Sequence, residues 1–483
     1  MTIFAVMISA LFLSLAFPPY NIFWLAWFSL VPLVLVLIRE ENNQKAFIAA
    51  AIFAVLYFGT TLSWILTINH WYPGGGWLSW IAIILGGTFW ILLWAALVLV
   101  CRAVLYYSKD PKEKLLFYFC PAILWAFIEW ARQFGIFGST LSWLGYSQWQ
   151  DLPIAQLARL TGVPGISYLI VLVNTGLALV LKVGFSKFSK KTPDVAVTEP
   201  VEVPALIMAP RIEVLIFVLI AIISFLAAYS YGTLKLNSLI QKPPCKLVVL
   251  QPNVPQEHKL NNMYYEGLKQ KYLTMLAELP FPGSGKPVIY STANISCSSG
   301  KGDLAGCKGI NLSRKELTGG EIIFLPETIV PQLLTQDQAF MAELALISSE
   351  NKVRIVFGSP YYQAGKLYNS AFVVYRDQSV SRYDKVNLVP FGEYLPVPGF
   401  LRGLFAKHGY FSNDYEPGTK YQPLQVNGYK LGLGICFEST FPWIYKKFAD
   451  SGADLLAAIS NDAWFLNSAG AEQHLMASTF RAI

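Results

Sequence analysis

The stretch that decides how this chain is read is YKLGLGICFESTFPW, residues 429–443. Its apolar run ends on a single thiol, Cys436, followed directly by Phe437 and Glu438. In open α/β sheets the carboxyl ends of strands are where side chains assemble into sites. A thiol in that position ahead of a helical segment at 442–451 therefore asks what else lies nearby.

Two further apolar runs in the same half end in a comparable way. EIIFLPET (321–328) leads to Glu327, and DLLAAISND (454–462) leads to Asn461 and Asp462. CKLVVLQPN (245–253), VRIVFGSPYY (353–362) and YNSAFVVY (368–375) read as strands, the last two as a hairpin. Helical spacing occurs at 261–279, 337–349 and 471–482. Strands that alternate with helices around one hairpin predict a layered α/β sheet over 244–483. RYDKVNLVPFGEYLP (382–396) places Lys385 and Glu393 in a loop with enough apolar residues to pack. Segment 280–320 is Gly/Ser-rich and reads as a surface insertion.

Residues 1–231 are built differently. The whole chain is 54% hydrophobic, 15% aromatic and only 14% charged, which excludes an ordinary soluble protein. Seven apolar segments, roughly 1–17, 22–38, 46–68, 77–101, 115–131, 164–181 and 214–230, predict a polytopic α-helical membrane domain. Eleven basic residues fall in alternate connections: Arg39, Lys45, Arg102, Lys109, Lys112, Lys114, Lys182, Lys187, Lys190, Lys191 and Arg211. The intervening connections hold only Arg132 and Arg159. Basic loops stay on the cytoplasmic side, so seven spans starting inside place the polar half outside. The net charge of +7 is explained by those loops beside anionic headgroups, and no nucleic-acid partner is expected.

Cys101 and Cys120 read as small buried hydrophobes, while Cys297 and Cys307 flank SSGKGDLAG and could close a disulfide in an oxidising compartment. No cysteine pair has zinc spacing and only four histidines exist, so neither a metal nor a cofactor is expected. Cys436 remains as an isolated thiol. A helix N-terminus would lower its pKa, a nearby Glu would take its proton, and a Lys would stabilise an oxyanion. On residues alone, a cysteine enzyme and an inert core thiol both stay open.

The segments FLPETIVP, RYDKVNLVPFGEYLPV, GLGICFES and ISNDAWF, with QHLMASTFRAI, resemble the Glu-Lys-Cys pattern of the nitrilase superfamily. The form is that of bacterial apolipoprotein N-acyltransferases, and AFPPYNIFWLAWFSLVPL, PAILWAFIEWAR, STLSWLGYSQWQ and VVLQPNVPQEHK are similar to the same family. The resemblance implies an α-β-β-α nitrilase-like sandwich joined to the membrane domain. It further implies that an acyl chain passes from a phospholipid to the α-amino group of a diacylglyceryl-cysteine on an apolipoprotein, through a thioester. By motif, Cys436 is the nucleophile, Glu327 the general base and Lys385 the oxyanion stabiliser, supported by Glu393, Phe437 and Glu438. Trp143 and Tyr146 fall in the family's loop motif and are expected at a lipid entrance. The same reading expects a monomer in the bacterial inner membrane, its catalytic half periplasmic. A membrane-attached amidase would use the same triad with water as acceptor.

Three departures from the family stand out. Phe437 replaces the Tyr often found there, Leu260 stands where a Trp is common, and the 280–320 insertion is long. The family continues beyond the position matching Ile483, so the catalytic half is expected to be truncated.

Overall fold

Pro32 divides the second apolar segment, because a proline has no N–H to give to the carbonyl one turn back. A computed structural model, describing residues 2–71, 75–107, 110–134, 139–188, 209–238, 246–279, 320–330, 332–375, 377, 379–395, 399–406 and 414–483, shows the result. Phe23–Leu25 forms a 3-10 turn, Ala26–Ser29 a short helix and Val31–Arg39 a second one. Asn174, on the helix Val163–Phe188, takes the polar groups freed at the break. Its Oδ1 accepts from Leu30 N at 2.8 Å, and its Nδ2 donates to Ala26 O at 2.9 Å and Ile170 O at 2.8 Å. In hydrocarbon, where water cannot serve, such a side chain is what makes a broken helix tolerable.

Contacts divide the chain into two compact units, residues 1–66 and 77–238 with Ile483, and residues 67–76 and 239–482. Five described helices in the first are long and apolar enough to cross a membrane: Asn43–Thr61, Gly76–Tyr106, Pro111–Ala131, Val163–Val183 and Ile212–Asn237. Thr2–Leu15 and Phe23–Arg39 are shorter apolar helices. The chain is a multi-pass membrane protein. The third segment, expected to run to 68, ends its α-helix at Thr61 and continues as a 3-10 helix over Ser63–His70. There Ser63 Oγ donates to Thr60 O at 2.8 Å, a local bond that competes with the α-helical ladder.

Glu129 shows how the first unit tolerates a buried carboxylate. It accepts from Trp125 Nε1 at 2.9 Å, Leu144 N at 2.7 Å and Ser167 Oγ at 2.5 Å, tying the turn at 144–148 to two helices. Trp143 and Tyr146 beside it are 1% and 0% exposed and stack at 5.7 Å between ring centroids. As placed, both rings are buried within this unit.

Among the described residues, the second unit contains two sheets. The first has five strands in the order β1 (Leu247–Val249), β2 (Ile322–Phe324), β3 (Arg354–Gln363), β4 (Lys366–Val374) and β5 (Val380–Asp384). β1, β2 and β3 run parallel, and β3, β4 and β5 antiparallel. The second sheet has β6 (Leu424–Val426), antiparallel to β7 (Tyr429–Ile435), which lies parallel to β8 (Leu455–Ile459).

Side-chain alternation along the strands separates two cores. Ile323, Ile355, Phe357, Phe372 and Val374 pack on one face with Leu268, Tyr272, Leu276, Phe340 and Leu344. The latter belong to the helices Tyr265–Ala277 and Gln338–Glu350. Ile322, Phe324, Val356, Ala371 and Val373 face the other way, onto Leu431, Leu433 and Ile435 of β7. Helix Pro442–Asp450 adds Ile444, Tyr445 and Phe448 to that inner core. Each such side chain fully buried is worth about 1.5–3 kcal/mol. The strand faces thus explain the nearly continuous apolar runs: both sides are covered. Cys297, Cys307 and nearly all of the 280–320 insertion lie outside the described residues.

Candidate active site

Glu327 sits in the loop that leaves β2, pressed against β3 at Gly358. A Cβ at Gly358 would lie 2.7 Å from Glu327 Cα and 2.7 Å from Thr328 N, so only glycine lets this loop close onto the sheet. The carboxylate is then held from two sides. Oε1 accepts from Asn369 Nδ2 at 2.8 Å, and Oε2 accepts from the backbone N–H of Asn461 at 3.0 Å.

Lys385 follows β5 directly, with its backbone N–H bonded to Asn369 O at 2.9 Å. Its ammonium is 1% exposed and lies 3.0 Å from Glu393 Oε1 and 3.7 Å from Glu327 Oε1. Burial pushes the Lys385 pKa down, but Glu393 and then Glu327 outweigh it and hold the group above its ordinary value, fully charged. Glu393 is itself fixed by Asn369 Nδ2 at 2.6 Å and Val389 N at 2.7 Å.

Cys436 directly follows β7 and opens the turn Cys436–Thr440 with φ of +51°, a left-handed conformation that a non-glycine residue adopts at a conformational cost. Glu438, fully buried, braces this turn. Its Oε1 accepts from Tyr383 Oη, Val386 N and Asn387 N at 2.9, 2.8 and 3.1 Å, and its Oε2 from Ile435 N at 2.9 Å. Phe437 packs edge-on against Phe441 with centroids 4.9 Å apart.

The lowered thiol pKa expected from a following helix is not found. Burial pushes the Cys436 thiol well above its usual range, Glu327 and Asp462 add to the effect, and Lys385 opposes it. The five-residue 3-10 turn after the thiol is too short to concentrate a helix-end charge against that burial. The resting group is a neutral thiol beside a charged lysine. Moving its proton to a neighbouring carboxylate would exchange one buried anion for another and leave the net charge of the site unchanged.

Of the sequence-expected residues, Glu327, Lys385 and Glu393 form one bonded cluster. The charges of Glu327 and Lys385 are felt at Cys436, and Glu438 links the Cys436 turn to the Lys385 loop. Trp143 and Tyr146 belong to the other unit.

Three polar residues escaped the sequence reading. Asn369 is a polar interruption in the apolar strand YNSAFVVY, a signal that was available. Lys259 is 5% exposed and donates to Asn461 Oδ1 at 3.0 Å, the same residue whose N–H reaches Glu327. Burial lowers the Lys259 pKa to about 8, with Glu327 opposing. His474 lies behind the thiol, where a Cys436, Asp462 and His474 ligand set is grouped within 4.8 Å. Such a trio could hold a soft cation, but both ring nitrogens of His474 are already engaged, by Asp462 Oδ1 and by Ser439 and the Cys436 carbonyl.

Residues 9–176 match the family model described as the apolipoprotein N-acyltransferase N-terminal domain, and residues 298–483 match the carbon-nitrogen hydrolase model. The apolipoprotein N-acyltransferase of Geobacter metallireducens is 28% identical over 99% of this chain and 80% of its own length. That of Haemophilus ducreyi is 26% identical over 97% of this chain and 80% of its own length. A solved carbon-nitrogen hydrolase from Helicobacter pylori G27 is similar at 21% identity over 29% of this chain and 47% of that one, with a TM-score of 0.22. A membrane unit and a carbon-nitrogen hydrolase unit, matched in that order, lead to one conclusion: along nearly its whole length the chain is similar to the apolipoprotein N-acyltransferases.

Proposed function

We propose that this chain N-acylates apolipoproteins, moving an acyl chain from a phospholipid to the α-amino group of an N-terminal diacylglyceryl-cysteine through a thioester on Cys436. In the first stage Glu327 takes the thiol proton while sulfur attacks the ester carbonyl. The ammonium of Lys385 stabilises the oxyanion, and the departing lysophospholipid oxygen recovers the proton from Glu327. In the second stage the amine attacks the thioester, Glu327 accepts its proton, and the sulfur leaves and is reprotonated. Glu393 and Glu438 act as positioning carboxylates.

The observation that carries this reading is the Lys385 ammonium, 1% exposed and held 3.0 Å from Glu393 and 3.7 Å from Glu327. A buried cation so held is a fixed charge available to an oxyanion. The alternation of basic connections supports a cytoplasmic-membrane location with the catalytic unit on the periplasmic side, where bilayer lipids supply both substrates.

Incubation of the full chain with phosphatidylethanolamine vesicles, followed by peptide mass spectrometry, should reveal an acyl mass on Cys436 that a diacylated lipopeptide amine removes. Cys436→Ala should carry no adduct and transfer no chain. Rapid loss of the adduct to water without amine would instead assign a hydrolase. Lys385→Met should abolish acylation and destabilise the catalytic unit by about 3–5 kcal/mol, since it leaves buried carboxylates uncompensated.

A further inference from the structure

Helix Ala469–Thr479 directs one imidazole at the back of the nucleophile turn. The His474 ring is 8% exposed, with Nδ1 2.9 Å from Asp462 Oδ1 and Nε2 2.9 Å from the carbonyl oxygen of Cys436. Ser439 Oγ is 2.6 Å from the same Nε2, and Ser478 Oγ donates to Ser439 Oγ at 2.9 Å.

The partners determine the ring's protonation. A backbone carbonyl can only accept, so the 2.9 Å contact with the Cys436 oxygen is a hydrogen bond when Nε2 carries the hydrogen, and Ser439 Oγ, which already accepts from Ser478, then accepts from the same nitrogen. Asp462 Oδ1, which also accepts from Ser460 Oγ at 2.6 Å, accepts from Nδ1, so that nitrogen carries one too. A neutral ring has a single N–H and would turn a lone pair toward one of these two oxygens. The titration direction agrees: burial disfavours the charged ring, but Asp462, the Cys436 carbonyl and Glu327 together raise its pKa, while Asp462 is held low by His474 despite its own burial.

We propose that His474 is a positioning residue: an imidazolium held by Asp462, it clamps the Cys436 carbonyl, keeps the nucleophile in its left-handed backbone and places positive charge behind the sulfur as it ionises. The inference rests on Cys436 being the acylated nucleophile. The groups that face this ring are Asp462 and Ser460 after β8, Cys436 and Ser439 of the nucleophile turn, Ser478 on its own helix, and the charge of Glu327. Because the folded pKa of the ring is raised, the clamp is complete below the ordinary histidine range and is lost as pH rises through the raised value.

The test compares native chain with His474→Gln and Asp462→Asn in detergent, reading iodoacetamide alkylation of Cys436 against pH and the kinetics of acyl transfer. His474→Gln should lower kcat by about tenfold or more with KM within about twofold, and move the alkylation profile to higher pH. An unchanged profile and unchanged kcat would overturn the proposal. Should either variant fail to fold, nitrogen-15 imidazole spectra of the chain with His70, His258 and His408 replaced by Gln decide the matter. Two protonated ring nitrogens at pH 7.5 support the clamp, and a neutral tautomer refutes it. Activity retained by Cys436→Ala would overturn the nucleophile reading. An inactive Cys436→Ala alongside a native-like His474→Gln would overturn the clamp alone.

Discussion

Glu438 accepts a 2.8 Å hydrogen bond from the backbone N–H of Val386, the residue after Lys385. One carboxylate, two positions beyond the thiol, therefore fixes the loop that carries the cation. Its four donors occupy both oxygens, which favours a geometric task for it in the proposed reaction.

Glu438→Gln should expose that task. The new amide would turn an NH2 group toward backbone N–H donors, costing about 1–3 kcal/mol of stability. Denaturant titration should show that loss, and single-turnover acylation should slow far more than phospholipid binding weakens. Equal stability and equal acylation rates would refute the assignment.

Gly358→Ala tests how tightly Glu327, the proposed base, is placed. The added methyl would sit 2.7 Å from two backbone atoms of the Glu327 loop, neither of which can rotate away. Strain of about 1–3 kcal/mol is expected, with acylation falling by about a hundredfold as the carboxylate is displaced. A variant acylated at the native rate would show that the loop has slack.

Lys259 should give the stability of the catalytic unit an alkaline signature. Its folded pKa is lowered to about 8 from an ordinary value of 10.5, so the unfolded chain holds the proton that the native state releases between those limits. Stability contributed by this group therefore rises with pH across about 8 to 10.5, by roughly 1–3 kcal/mol. Lys259→Met should flatten that rise in paired denaturation curves. Identical pH slopes in the two proteins would exclude a buried, depressed lysine.

Asn174→Leu addresses the membrane unit. It removes the side chain that bonds Leu30 N and Ala26 O beside the Pro32 break. A loss of about 0.6–2 kcal/mol is expected, read as a lower thermal midpoint in detergent. Pro32→Ala in the same background should recover part of it by restoring a helical N–H, and absence of recovery would argue against the coupling.

Much of this was legible in the residues. Ile323, Ile355 and Phe372 sit in runs whose length and β-branching marked them as strands, and Glu327, Cys436 and Asn461 stood at the ends of such runs. β5 was hidden because Arg382, Tyr383 and Asp384 are polar and only five residues pair there. β6 was hidden by its three residues. The side chains that finish the site, Asn369, Lys259 and His474, were harder to see because their value comes from partners distant in sequence: Asn461 lies 202 residues from Lys259 and Glu327 42 residues from Asn369. The thiol's raised pKa was invisible for the same reason, since burial is a property of the assembled layers.

Glu327 and Lys385 hang from the five-stranded sheet, whereas Cys436 and Asn461 hang from the three-stranded one. Neither half of this double layer carries a working set of groups by itself. On the proposed assignment, the Glu327 base and the Lys385 cation reach the thiol only when the two layers close, and a partly folded chain would hold Cys436 without either of them.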